Sequence, residues 1–186
     1  MKFLKIASVI CALLFTNITA NAGDIIEAKV EHKDKQYFVT LEVVINADSQ
    51  KIFRLLTDYE NLTSLSDSIK ESRLIYSLSD NDHRVQVKTK ACVTFFCKTI
   101  NQVQDVEELP GMVIVTTSLP TKSDVDYAHA RWKVTAEDGI TRINFNSDLK
   151  PSFWIPPVIG PILIERTLRN EALAVIKGLE ELAQRR

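Results

Sequence analysis

Residues 153–186 read FWIPPVIGPILIERTLRNEALAVIKGLEELAQRR, and their apolar spacing predicts a long amphipathic helix at the end of the chain. Apolar side chains recur three or four positions apart, which places them on one helix face, at Ile164, Leu168, Ala172, Val175, Leu179 and Leu182. Leu173 and Ile176 widen this stripe enough to pack on a sheet. Gly160-Pro161 marks the start, since proline fits the first helical position. We therefore expect a sheet upstream on which this helix lies.

The upstream chain has the pattern of short helices followed by strands. Residues 37–45 are rich in Val, Ile and Leu and predict a first strand, with a less regular extension back to Ile25. Asp48 or Ser49 can cap a short helix, and 58–72 suggests a loop with another helical turn. Between residues 72 and 149, apolar segments typical of strands are separated by short runs of turn residues. The prediction is an α+β domain in which a curved antiparallel sheet of about six to seven strands wraps around the terminal helix.

Several segments resemble the START-like superfamily, which includes the polyketide cyclase/dehydrase and coenzyme-Q-binding proteins, and in particular an exported bacterial branch of it. The similar segments are ADSQKIFRLLTDYE at 47–60, VTFFCKTINQVQDV at 93–106, ARWK at 130–133 and FWIPPVIGP at 153–161. The resemblance covers roughly residues 37–183. It implies the helix-grip fold and a cavity for a hydrophobic small molecule such as a lipid, a quinone or an isoprenoid or polyketide-like compound.

The first 22 residues have the three parts of a secretory signal peptide. Lys2 and Lys5 precede the apolar run 6–15, and Ala20-Asn21-Ala22 follows as a cleavage site. The run is shorter than the roughly 20 residues that span a bilayer. We expect cleavage before Gly23, a single domain over 23–186, and a periplasmic location.

The charge of the expected mature chain argues against a nucleic-acid partner. The full sequence has 23 basic and 24 acidic residues, a net charge of −1. Cleavage removes Lys2 and Lys5, which leaves 21 basic residues and a net charge of −3. A nucleic-acid-binding protein needs a clustered basic face, which the sequence lacks. We expect a monomer whose partner is a small molecule.

Cys92 and Cys97 remain after cleavage and are expected to form a disulfide in an oxidising compartment. Residues five apart in one straight strand point to opposite faces. A bridge therefore requires a hairpin, with residues 93–96 as its loop. A redox-active pair is the alternative, but the spacing is not C-x-x-C.

Motifs of common enzyme classes are absent, and no cofactor is expected. His32, His83 and His129 lie in separate predicted elements, so we expect no metal site. Asp124, Asp126, His129 and Arg131 are close enough in sequence for acid–base chemistry. Alternation along 127–136, however, places Ala128, Ala130, Trp132 and Val134 on one face and Tyr127, His129, Arg131 and Lys133 on the other. We interpret the charged face as solvated, and therefore expect no catalytic residue.

Small residues at inward positions suggest a hollow interior. Ala128, Ala130 and Ala172 put little bulk where a closed core needs large side chains. Small residues can equally let the helix approach the sheet closely, and the family resemblance favours the cavity. The residues predicted to form its wall or mouth are Ile52, Leu56, Trp132, Phe145, Phe153, Trp154, Ile159 and Leu163.

Two apolar segments are predicted to flank the entrance and to touch a membrane surface transiently. They contribute Phe95 and Phe96 at the hairpin tip and Trp154 and Ile155 before the helix.

Binding or carrying a hydrophobic molecule is thus the first functional hypothesis, and two others remain open. A cyclase/dehydrase-like enzyme requires a charged residue inside the cavity, such as an inward Arg131 or His129. A partner-binding envelope module requires a solid core.

Overall fold

The computed structural model describes residues 23–93, 96–153, 155 and 160–185. The predicted leader, 1–22, lies outside the described residues. Within these ranges the chain forms two short 3₁₀ turns at Leu62–Ser64 and Pro120–Lys122 and ten longer elements. In chain order these are β1 (Asp24–Lys33), β2 (Gln36–Ile45), α1 (Ser49–Leu56), β3 (Ile69–Ser77), β4 (Asp82–Val93), β5 (Phe96–Leu109), β6 (Val113–Ser118), β7 (Val125–Glu137), β8 (Ile140–Pro151) and α2 (Gly160–Gln184).

The strands form one open antiparallel sheet of eight strands in the order β1-β2-β8-β7-β6-β5-β4-β3. After β2 the chain passes through α1 to the far edge of the sheet and returns strand by strand until β8 pairs with β2. The long helix α2 packs against β1, β2 and β4 and against α1. This architecture confirms the predicted α+β, helix-grip fold.

The segment before residue 37 differs from the prediction of a less regular extension. It is a separate strand, β1, which pairs with β2 from Asp24 to Lys33. Asp34 and Lys35 connect the two strands with φ of 50° and 65°. Two consecutive positive φ values are typical of a type I′ hairpin turn. The usual glycine is missing here, so the turn residues did not predict it, and the sheet has eight strands instead of six to seven.

The strands β4 and β5 form the hairpin that the cysteine pair required. Cys92 and Cys97 are directly opposite each other, with Cα atoms 4.0 Å apart and sulfur atoms within bonding distance. Pairing continues to Val93 and Phe96, so the strands extend into the predicted 93–96 loop.

The two helices follow the sequence pattern closely. Asp48, one of two predicted caps, accepts a hydrogen bond from the Lys51 amide at 2.9 Å. On α2, the buried residues are Gly160, Ala172, Ile176, Leu179 and Ala183. Leu173 was expected to widen the buried stripe, but it is 49% exposed, because it lies beyond the face that meets the sheet. Among the described helices, none combines the length and the apolar character needed to cross a membrane.

Candidate functional site

A cavity of about 320 Å³ lies between the sheet and the helical elements. Strands β4 to β8 supply one wall, while α1, the loop that follows it, the start of β3 and α2 supply the other. The lining residues are Leu56, Tyr59, Leu62, Leu65, Ile69, Val87, Gln102, Gln104, Val106, Ile114, Thr116, Ser118, Ala128, Ala130, Trp132, Phe145, Ser147, Leu149 and Val175.

Alternation along β7 selects the residues that face this cavity. Ala128, Ala130 and Trp132 line it. Arg131 and Lys133, on the opposite face, are exposed. The predicted inner and outer faces of this strand are therefore confirmed.

The positions of three alanines show where small residues leave a cavity and where they let the helix approach the sheet, the two interpretations that the sequence left open. Ala128 and Ala130 line the cavity, so their small size leaves space. Ala172 belongs to the core cluster and is not part of the lining, so its small size lets α2 approach the sheet. Both interpretations hold, each at a different position.

One end of the cavity is aromatic and aliphatic. Trp132 and Phe145 are cross-strand partners on β7 and β8, and their ring centroids are 4.2 Å apart at an interplanar angle of 45°. Ile114 is the partner of Trp132 on β6. Tilted aromatic pairs at this distance are favourable contacts. This end therefore offers a rigid apolar surface.

The adjoining part of the sheet wall carries neutral polar side chains. Gln104 lies opposite Ser118, and Gln102 donates through its Nε2 to Ser118 Oγ at 3.3 Å. Thr116 and Ser147 flank Ala130 on the neighbouring strands. An apolar pocket with a few polar groups is the usual composition of a small-molecule site.

Tyr59 is the ionisable group in this lining, which contains no Asp, Glu, His, Lys or Arg among the described residues. Its hydroxyl donates to Glu108 Oε1 at 2.8 Å. His83 Nε2 lies 3.4 Å from the same oxygen, and His83 Nδ1 lies 2.9 Å from Ser77 Oγ. Burial, together with the hydrogen bond to Glu108 and its negative charge, raises the pKa of Tyr59. The phenol is therefore neutral at physiological pH.

Three residues predicted from sequence line the cavity: Leu56, Trp132 and Phe145. Ile52 is fully buried in the core cluster, outside the lining. Leu163 is half-buried on α2 and is also outside the lining.

The predicted mouth is described only in part. Phe153 is half-buried, with Lys98 Nζ 4.5 Å from its ring centroid, and Ile155 is also half-buried. The predicted residues Phe95, Trp154 and Ile159 lie outside the described residues, as does the side chain of Phe96.

Sequence reasoning missed Tyr59 and the polar side chains of the lining, which are Gln102, Gln104, Thr116, Ser118 and Ser147. A signal was present for the glutamines. Gln102 and Gln104 alternate with Val103 and Asp105 on β5, so the two glutamines share one face of the strand. Two adjacent amide side chains indicate that this face does not pack in a purely apolar core.

The residues considered for acid–base chemistry lie away from the cavity. Arg131 is exposed, and His129 Nδ1 lies 3.2 Å from Oγ1 of the exposed Thr117. Asp126 is 3.4 Å from Lys150 Nζ. Neither Arg131 nor His129 points inward, which the enzyme hypothesis required. Within the described ranges, no group of three or more His, Cys, Asp or Glu residues is placed to hold a metal ion.

Comparison with known proteins gives one family match. The family described as polyketide cyclase / dehydrase and lipid transport matches residues 38–185. No curated protein matches the sequence.

Solved structures with the same architecture include an aromatase/cyclase and two START-related proteins. The aromatase/cyclase Zhui from Streptomyces sp. R1128 has a TM-score of 0.65 and 14% identity, covering 81% of this chain and 95% of that one. The STAR-related lipid transfer protein from Xanthomonas axonopodis has a TM-score of 0.63 and 12% identity, covering 86% and 99%. A START superfamily protein from Mycobacterium smegmatis has a TM-score of 0.62 and 14% identity, covering 79% and 97%. At these identities the likeness shows a shared fold.

Proposed function

The chain belongs to the polyketide cyclase/dehydrase and lipid transport family, and from that premise we propose that it binds or carries a hydrophobic small molecule between its sheet and α2. The observation that carries this proposal is the apolar cavity of about 320 Å³. Its volume is at the lower end of the range of about 300–1,000 Å³ that small-molecule pockets occupy. Lipids, quinones and isoprenoid or polyketide-like compounds are the candidate classes.

The lining favours binding over catalysis. Acid–base catalysis needs a titratable group near the operating pH within reach of the substrate. Tyr59 is held neutral by burial and by Glu108, and the other described lining residues do not titrate. The open space beside Ala128 and Ala130 argues against a module with a solid core.

We also propose that the protein works in the periplasm after removal of residues 1–22. The leader pattern of the sequence supports this proposal. The opposed cysteines on β4 and β5 support it further, because disulfides persist in oxidising compartments. The intact mass of the protein recovered from that compartment tests both points, with a chain starting at Gly23 and two hydrogen atoms fewer than the dithiol form as the expected result.

Native mass spectrometry, combined with solvent extraction, tests the binding proposal on protein purified without detergent. We expect a discrete adduct that extracts as a lipid, quinone or polyketide-like compound. Ala130→Phe should abolish the adduct, because the new ring occupies the cavity. Ala136→Phe is the matched control, since Ala136 is exposed on the same strand, and it should retain the adduct. A ligand-free mass, together with no thermal stabilisation by any lipid or quinone tested, would contradict the proposal.

A further inference from the structure

The polar side chains of the cavity form a patch on the sheet wall that is interrupted at Ala130. Ser118 on β6 lies opposite Gln104 on β5. Thr116 and Ser147 lie on either side of Ala130, one strand away in each direction. Directly opposed residues on neighbouring strands have Cβ atoms about 4.5–5.5 Å apart. A single ligand group can therefore meet Gln104 and Ser118 together, whereas Thr116 and Ser147 lie two strands apart, about 9–10 Å. Leu56, Leu62 and Val175 face this wall from the helical side.

This patch has unused capacity for hydrogen bonding. Ser118 is 6% exposed, and its oxygen accepts from Gln102, so its hydroxyl proton is left to donate. The side chains of Gln104, Thr116 and Ser147 make no hydrogen bond to another described residue that faces the cavity. All three are half-buried, so a ligand that covers them must supply a hydrogen-bond partner or leave a buried polar group unsatisfied, which costs free energy. A carbonyl or hydroxyl oxygen of a ligand supplies that partner.

An anionic ligand group has no counter-charge in the cavity. The described lining contains no Lys, Arg or His, and Tyr59 already donates its proton to Glu108. The Glu108 carboxylate beside Tyr59 further disfavours a second negative charge. Burying an unpaired carboxylate or phosphate costs several kcal/mol.

The volume limits the size of the ligand. A cavity of about 320 Å³ lies at the lower end of the range of about 300–1,000 Å³ that small-molecule pockets occupy. That space suits a compact ligand, such as one chain of moderate length or a small ring system.

From these observations we propose that the cavity selects an uncharged ligand in which a carbonyl or hydroxyl oxygen sits on a compact hydrocarbon body. The oxygen binds to the patch formed by Gln104, Thr116, Ser118 and Ser147, and the hydrocarbon packs on Trp132 and Phe145. This selectivity deepens the proposed function and rests on it.

Three ten-carbon probes separate the elements of this proposal: 2-decanone, decanoate and decane, each titrated into ligand-free protein at pH 8. We expect 2-decanone to bind at least tenfold more tightly than decanoate and severalfold more tightly than decane. Decanoate binding as tightly as the ketone would refute the selection against charge. Decane binding as tightly as the ketone would refute the role of the polar patch. If none of the three binds, the proposed function itself fails.

Two variants locate the effect. Ser118→Ala and the nearly isosteric Thr116→Val should each weaken 2-decanone binding by about fivefold, the equivalent of one hydrogen bond of about 1 kcal/mol, and leave decane binding unchanged. Thr117→Val is the control, because Thr117 is exposed on the outer face of the same strand. Equal losses for ketone and decane would show that the residues only maintain the shape of the cavity.

A second inference concerns the start of the expected mature chain and rests on a separate contact. Glu180 Oε1 on α2 accepts hydrogen bonds from the Gly23 amide at 2.7 Å and from the Asn46 amide at 2.9 Å. A Cβ at Gly23 would lie 2.5 Å from Val44 O and 2.6 Å from Ile176 Cγ2. The first residue after the predicted cleavage site is thus held closely against the terminal helix, in a space that suits glycine.

We infer that leader removal creates an ion pair at this point. Hydrolysis of the Ala22–Gly23 amide by a leader peptidase adds water across the bond, leaving a carboxylate on Ala22 and an ammonium on Gly23. The ammonium then replaces the amide as the donor to Glu180, and hydrogen bonds between two charged groups are stronger than neutral ones. Maturation by this route fastens α2 to the ends of β1 and β2. The inference rests on the proposed export.

A double-mutant cycle tests it, using chains that start at Gly23 or at Asn21, each with Glu180 or with Glu180→Gln. The Gly23 chain should melt about 2–4 °C higher than the longer chain, the shift expected for about 1 kcal/mol in a domain of this size. Glu180→Gln should remove most of that difference. A difference that persists in the Glu180→Gln background would assign it to steric effects of the extra residues. Acetylation of Gly23 is the smallest change that removes the charge, and it should lower the melting temperature in the same way.

Discussion

Tyr59 connects the cavity to the outer part of the sheet. Its ring lines the apolar end of the cavity, and its hydroxyl meets Glu108, which in turn lies beside His83. The three residues come from the loop after α1 and from β5 and β4. This contact brings together groups 49 positions apart and holds the loop on the sheet.

Replacement of Tyr59 tests how much this contact contributes. Tyr59→Phe should lower the free energy of unfolding by about 1–2 kcal/mol at pH 7, because a hydrogen bond to a carboxylate is lost. Urea denaturation measures the change. Tyr76→Phe serves as the control, since the Tyr76 ring is 40% exposed, and it should change stability by less than about 0.5 kcal/mol. Equal effects of the two variants would show that the Tyr59 hydroxyl adds nothing specific.

The raised pKa of Tyr59 also predicts a pH dependence. An unfolded tyrosine loses its proton near pH 10, whereas folded Tyr59 keeps it. The stabilisation is therefore fully present below about pH 10 and declines as the pH rises above 10. Tyr59→Phe should make the fall in unfolding free energy above pH 10 less steep, by up to about 1.4 kcal/mol per pH unit. Parallel curves for the variant and the parent between pH 10 and 11 would contradict the assignment.

At the scale of elements, α2 is fitted to the loop before β3 at Gly178. A Cβ there would lie 2.4 Å from the carbonyl oxygen of Leu65, which is a backbone atom and cannot rotate away. Leu65 itself is buried in the core. The close approach of helix and loop at this point thus requires glycine.

This contact reverses the usual effect of replacing a helical glycine. Helix propensity alone predicts that Gly178→Ala stabilises by about 1 kcal/mol. We expect instead a loss of about 1–3 kcal/mol, because the loop must move away from the helix. Lys177→Ala, at an adjacent position where the side chain is 78% exposed, should stay within about 0.5 kcal/mol of the parent. A stabilised Gly178→Ala variant would show that the loop moves without cost.

The cysteine hairpin provides a second test at this scale. Both cysteines are exposed, so serine at either position buries no unpaired hydroxyl. The double variant Cys92→Ser/Cys97→Ser should lose about 2 kcal/mol, the chain-entropy effect of a disulfide that closes so short a loop. Reduction of the parent protein should cause a similar loss. Rapid alkylation of both thiols in protein taken from the oxidising compartment would contradict the bridge.

At the scale of the whole molecule, the interior is divided into a packed core and a cavity. The core cluster joins α2 to β2, β8 and α1, and it includes Ile52 and Ala172. Along β7, Val134 belongs to this core, while Trp132, Ala130 and Ala128 line the cavity. Ala130 and Ala172 are similarly buried, at 9% and 7% exposure. Ala130 nevertheless borders the cavity, whereas Ala172 packs against other core residues.

These two alanines provide a matched pair of substitutions. Ala130→Leu should change the free energy of unfolding by less than about 1 kcal/mol, or stabilise the protein, because the cavity accommodates the added carbons. Ala172→Leu should cost about 1–3 kcal/mol, because it overpacks a full core. Urea denaturation of ligand-free protein measures both. Equal costs would show that the space beside Ala130 closes in solution.

The order of helices and strands from β2 onward, the inward face of β7 and the buried stripe of α2 were determined by the sequence alone. Each depends on the spacing of apolar residues along the chain, two residues in a strand and about 3.6 in a helix. This spacing can be recognised in the sequence without knowledge of any tertiary contact. The cysteine hairpin was predictable for the same reason, because strand parity allows no other way for Cys92 and Cys97 to meet. The β1–β2 turn was not, since Asp34-Lys35 lacks the glycine that usually marks such a turn.

Only the tertiary structure decided which small residues make space and which allow contact. Ala130 and Ala172 have the same side chain and each lies on the apolar face of its element, but Ala130 borders the cavity and Ala172 packs in the core. The Tyr59–Glu108 contact likewise depends on how the loop after α1 docks on the sheet. Docking and layer spacing arise from packing between residues far apart in the chain, so no local pattern contains them.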